Sequence, residues 1–111
     1  QELFDPIYKN FLWNTMIATS TGSNKLKGLL PSNAIVGHKT GSSDRTSEGV
    51  KIADNDAGVV IMPDGKKYYI AVFVMNSRET DDENAAIIAR ISRMVYDEYL
   101  SENYISQEGE R

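Results

Sequence analysis

No cysteine occurs among the 111 residues. Disulfides and thiolate metal sites are therefore excluded. There is a single histidine, His38, so a multi-histidine metal centre and a Ser-His-Asp arrangement with a histidine to spare are both hard to build. Neither a metal nor a cofactor is expected. Apolar runs are short; none approaches the roughly 18 residues of a membrane span, and no membrane segment is expected. Basic side chains are too few and too scattered for a phosphate-binding face: 12 Lys and Arg stand against 16 Asp and Glu, a net charge of −4. Nucleic acid is thus a poor fit as a partner. What is present is ordinary for a folded protein, with 41% hydrophobic and 25% charged residues. The length allows one domain, or a piece of a larger one. There is no internal repeat and no low-complexity segment.

Asp5-Pro6 suits a helix start, Asp as the cap and Pro at the first helical position. Ile7, Tyr8, Phe11, Leu12, Thr15 and Met16 recur at helical spacing and make one apolar face, with Trp13 off its centre. The aromatics Tyr8, Phe11 and Trp13 read as core rather than as a binding platform. A polar loop over residues 19–24 stops the helix, with Gly22 suited to the C′ position. Leu26 to Leu30 fits a single helical turn ended by Pro31.

Ala34 to Thr40 is the first strand, and Gly41 to Gly49 reads as a loop. Ala57 to Met62 is the second strand and Tyr68 to Met75 the third. Pro63-Asp64-Gly65-Lys66 is turn chemistry between these last two, which makes them an antiparallel hairpin. The third strand is apolar on both faces, so cover on both sides and a central place in a sheet are expected. Thr80-Asp81-Asp82-Glu83 is a capping box, and this role accounts for its acidic residues without a metal. Ile87, Ile88, Ile91, Met94, Val95 and Tyr99 mark the helix that follows. Residues 106–111 read as a frayed polar tail. The fold class is α+β: a three-stranded antiparallel sheet packed with an N-terminal and a long C-terminal helix. Three strands leave one edge of the third strand open, so further strands from elsewhere, or a second chain, are expected there.

Val36-Gly37-His38-Lys39-Thr40-Gly41-Ser42-Ser43 carries the chemistry. A cation and a hydroxyl on a strand edge suit the capture of a carboxylate. The Lys39-Thr40-Gly41 triplet alone is weak, but its setting is specific. A helix around Phe11 to Met16 and Leu29-Leu30-Pro31 precede it. Gly49, Pro63-Asp64-Gly65-Lys66 and the Asp82-Glu83 helix start follow. In this order and spacing the chain resembles the C-terminal part of a class A serine β-lactamase, of the Bacteroides-type cephalosporinase branch. The resemblance runs from about Asp5 to Leu100.

The resemblance implies a partial β-lactamase/transpeptidase-like fold, with residues 1–111 as one C-terminal segment. It implies a secreted or periplasmic parent that hydrolyses the β-lactam amide through a serine acyl-enzyme, with the penicillin or cephalosporin as its partner. Lys39 and Thr40 would hold the substrate carboxylate. Gly41 would let the β-lactam lie against the strand. The Ser42 backbone N–H would be an oxyanion-hole donor and its hydroxyl a further carboxylate contact, with Ser43 lining the strand beyond. The catalytic contributions are those of Lys39 and the Ser42 N–H. His38 should point to the face opposite Lys39, as a packed or surface residue.

Two departures stand out. Many class A enzymes carry an arginine where this chain has Glu48; Arg45 in the same loop is the replacement to consider, against a plain solvated role. None of the ten serines has a lysine three residues on, and no Ser-Asp-Asn occurs. The deacylating glutamate loop is missing too. The chain alone is therefore expected to be inactive, and either to pair through its open sheet edge or to need an N-terminal complement. A piece of a penicillin-binding protein or D-alanyl carboxypeptidase is a second reading. A non-catalytic α+β binding or assembly module is a third.

Overall fold

The computed structural model describes the backbone of residues 5–109 and the side chains of residues 5–102. The elements are α1 (Pro6–Ile17), β1 (Ile35–Ser42), β2 (Lys51–Ile61), β3 (Lys67–Ser77) and α2 (Asp81–Gly109). The three strands form one antiparallel sheet in the order β1-β2-β3. The α+β class and the antiparallel hairpin match the sequence expectation.

Strand alternation gives the sheet two unlike faces. Val36, His38, Asp56, Val60, Tyr68 and Val72 point to the face covered by α2, and all are buried. One core cluster joins Ala34, Val36, Val60, Met62, Tyr68 and Tyr96; a second joins Leu26, Val72 and Ile88, with Ile70 packed against both. Burying side chains such as Leu26 and Ile88 contributes roughly 1.5–3 kcal/mol each. The opposite face carries Gly37, Lys39, Gly41, Val59, Tyr69, Phe73 and Met75. Among the described residues only α1 approaches it, near Gly37 and Val59.

Several boundaries differ from those read in the sequence. β2 begins at Lys51, not Ala57, because Asp54-Asn55-Asp56 lies within the ladder. Gly41 does not break β1; it pairs with Asn55 and the strand runs on to Ser42. Residues 22–34 make successive turns without a helix, closed by Lys25 N–H to Gly22 O at 3.0 Å and Gly28 N–H to Lys25 O at 2.9 Å. Gly22 is not the C′ residue, since α1 ends at Ile17 with Ala18 as its cap. β3 sits at an edge of this sheet and is covered on one face only; Phe73 is 65% exposed. The apolar stripe of α1 is also bare: Ile7, Tyr8 and Phe11 are exposed, and the off-centre Trp13 is the aromatic that meets the sheet. α2 continues to Gly109; of the polar tail expected from Ser106, Glu110 and Arg111 lie outside the described residues.

Candidate functional site

β1 is an edge strand, and its outer edge has no strand partner among the described residues. In an antiparallel pair, backbone groups alternate between facing the partner and facing away. Ser43 N–H donates to Ala53 O at 2.8 Å, which fixes the phase. The backbone groups of Gly41 and Lys39 then face β2, while those of Ser42, Thr40 and His38 face outward. The Lys39 ammonium follows this edge and donates to the outward Thr40 carbonyl at 2.6 Å. The Lys39 ammonium and the Ser42 N–H therefore share the free edge.

Thr40 and Ser42 also line a cavity of about 280 Å³, together with Gly22, Lys25, Asp54 and Asp82. Neither hydroxyl is hydrogen-bonded to a described residue. Gly22 has φ +70°, in the left-handed region, and lies so close to the Thr40 methyl that a Cβ would collide with it. A Cβ at Gly41 would stand 2.7 Å from Oδ1 at the end of the Asn55 side chain. Ser43 is tied inward: its hydroxyl donates to Asp44 O and accepts from Ala53 N–H, each at 3.0 Å. Of the five candidates, Lys39, Thr40 and Ser42 meet at the edge, Gly41 lies beneath Asn55, and Ser43 anchors the strand end.

Arg45 is spoken for. It donates to Gly49 O at 2.9 Å, to Glu79 O at 2.7 Å and to Asp81 at 2.8 Å. The Arg45 hydrogen bond, then that from Lys51, holds the Asp81 carboxyl below its usual range. Glu48 is exposed, and its carbonyl accepts from Arg78. The cation that sequence reasoning missed is Lys25. Its ammonium donates to Asp54 at 2.6 Å and lines the cavity with Thr40 and Ser42. Only the fold could reveal it, because Lys25 sits in a polar loop far from the Lys-Thr-Gly triplet in the chain.

His38 is packed, 1% exposed, with Nδ1 at 2.8 and 2.9 Å from the two oxygens of Asp56. Among the described residues no group of three or more His, Asp or Glu could hold a metal.

The model of the beta-lactamase enzyme family matches residues 1–99. The chain belongs to the beta-lactamase enzyme family. A beta-lactamase of Bacteroides uniformis is 73% identical over 89 residues, which are 80% of this chain and 30% of that protein. Beta-lactamase VEB-1 of Pseudomonas aeruginosa is 46% identical over 83% of this chain and 30% of its own. Among solved structures, a class A beta-lactamase from Bacteroides cellulosilyticus superposes with a TM-score of 0.84 at 70% identity, covering 87% of this chain and 35% of that one. TLA-3 extended-spectrum beta-lactamase gives 0.85 at 48% identity, covering 90% and 36%. This beta-lactamase chain thus spans about a third of the length of the relatives it matches and carries a partial beta-lactamase fold.

Proposed function

We propose that the chain is the C-terminal portion of a class A serine β-lactamase and forms one wall of its substrate cleft. The observation that carries this is the free edge of β1, where the Lys39 ammonium and the outward Ser42 N–H lie together. A β-lactam laid along this edge would set its carboxylate against Lys39 and the Thr40 hydroxyl. Lys25 is the second cation, in place of the arginine that many class A enzymes carry: its ammonium, paired with Asp54, lines the cavity beside Thr40 and Ser42, and Arg45 does not line it. The lactam carbonyl would accept from the Ser42 N–H, with Ser43 lining the strand beyond.

In the whole protein a serine from outside this chain attacks that carbonyl. Charge builds on the oxygen, where the preorganised N–H stabilises it. The C–N bond then breaks, the ring nitrogen takes a proton, and water later hydrolyses the acyl-enzyme. This chain holds no Ser-x-x-Lys, so on its own it binds and positions but does not turn over. The resemblance supports a secreted or periplasmic parent. Among the described residues no helix is long and apolar enough to cross a membrane.

A nitrocefin assay tests the reading. The chain alone should give no hydrolysis above buffer, and adding a segment that carries the nucleophile and the deacylating glutamate should restore it. In that complex Lys39→Ala should lower kcat/KM at least tenfold, since a charge-assisted contact is worth about 1.5–3 kcal/mol. Turnover by the isolated chain, or full activity of the Lys39→Ala complex, would overturn it.

A further inference from the structure

Asp56 is completely buried in the middle of the sheet and grips two segments that are remote in sequence. Both of its oxygens lie within 2.9 Å of His38 Nδ1. Its Oδ2 also accepts the backbone N–H of Leu26 at 3.1 Å. His38 is the residue before Lys39, and Leu26 is the residue after Lys25. One carboxylate therefore ties together the two backbone segments that carry the two cations of the proposed carboxylate site. The Leu26 carbonyl is held in turn by the buried Ser92 hydroxyl at 2.7 Å, which anchors the same segment to α2. Two positions along β2, on the same face, Asp54 holds the Lys25 ammonium itself.

A carboxylate cannot donate, so the contact to His38 needs the imidazole proton on Nδ1. His38 Nε2 is buried and has no hydrogen-bond partner among the described residues. A bare Nε2 leaves an unpaired acceptor there, while a proton on Nε2 would leave an unpaired donor and cost Asp56 its partner. Both ends of the ring favour the same tautomer.

We infer that Asp56 is a positioning residue for the carboxylate-binding edge: through the Nδ1–H tautomer of His38 and the Leu26 N–H it sets the spacing between Lys39 and Lys25. This inference rests on the reading of the β1 edge as a substrate wall, but its first test needs no substrate. His38 is the only histidine, so long-range ¹H–¹⁵N spectra of the 111-residue chain report its tautomer without assignment. Nδ1 should carry the proton and Nε2 should be bare. Asp56→Asn replaces one of the two oxygens that hold His38 Nδ1–H and the Leu26 N–H with an NH₂ group, which loosens both contacts. The backbone amides of 24–27 and of 38–41 should then shift together. His38→Asn should move the 38–41 amides and leave 24–27 in place, because the Asp56–Leu26 bond survives. An Nε2–H tautomer in the parent chain would overturn the inference. So would Asp56→Asn shifts confined to one of the two segments.

The second test uses the complex with the complementing segment. There Asp56→Asn should raise KM for nitrocefin about tenfold with kcat nearly unchanged, the mark of a lost binding geometry. An equal fall in kcat with KM unmoved would overturn the positioning role. A complex that never turns over would count against the proposed function, and the tautomer and amide shifts alone would then decide the role of Asp56.

Discussion

Tyr68 combines a large buried surface with a hydroxyl that has no hydrogen-bond partner among the described residues. Its ring stacks on Tyr99 at 4.4 Å between centroids and packs in the core cluster with Tyr96. Burial first, then the neighbouring Tyr96, Tyr99 and Asp97, pushes its pKa from 10.0 up to about 12. The sign follows from linkage: the neutral phenol is favoured in the fold, so the contribution is whole below pH 10 and is lost as the pH rises toward 12. At the upper end the loss amounts to roughly 2–3 kcal/mol. Tyr68→Phe should abolish this alkaline loss. It should also leave stability at neutral pH unchanged or raise it by up to about 1 kcal/mol, because it removes an unpaired buried hydroxyl. Urea unfolding at pH 7 and at pH 11 would check both; a variant as alkali-sensitive as the parent would refute the assignment. Tyr68 shows where legibility ended at this scale. Its burial was readable from an apolar strand, but its unpartnered hydroxyl was not. Likewise Lys39 and Thr40 announced themselves by a motif, whereas Lys25, Asp54 and Asp56 look like solvated loop residues until β2 brings them under β1.

Periodicity located α1 but misjudged which side of it does the docking. The stripe from Ile7 to Leu12 is exposed, and the contact is made by Trp13 against the bare Cα of Gly37. A Cβ at Gly37 would stand 2.5 Å from the Trp13 ring. Gly37→Ala should therefore push α1 away from the sheet. No residue of α1 is buried, so the global cost should stay below the 1–3 kcal/mol usual for overpacking a core. Trp13 is the only tryptophan, and its emission should shift to the red in the variant; unchanged emission would place the docking contact elsewhere. The start of α2 was legible because capping is local chemistry. The Thr80 hydroxyl accepts the Glu83 N–H at 3.1 Å, although Glu83 makes no return bond. Thr80→Ala should cost about 1 kcal/mol in a denaturant titration. β2 was half hidden for the opposite reason. Asp54 and Asp56 break an apolar pattern, and only tertiary partners, Lys25, Leu26 and His38, make burial of those carboxylates tolerable.

At the scale of the whole molecule, the radius of gyration is 16.1 Å, against about 13 Å for a compact chain of this length. The excess goes with α2, whose 29 residues span about 44 Å. Tyr69, Phe73 and Met75 leave an apolar face open on β3, the α1 stripe is bare, and both outer strands have an unpaired edge among the described residues. The sequence implied this much through an apolar third strand with too few neighbours. An open strand edge beside an exposed apolar face is a template for pairing. The chain by itself should therefore associate with increasing concentration, and an equimolar complementing segment should convert it to a one-to-one complex. Sedimentation velocity would follow both. Phe73→Lys offers the sharper check, because Phe73 is already 65% exposed and the substitution removes little packing from the folded chain. It should suppress self-association while the helix and sheet signals in circular dichroism stay as they are. If the variant self-associates as strongly as the parent, the contact lies away from the open face of β3, and the α1 stripe becomes the surface to change next.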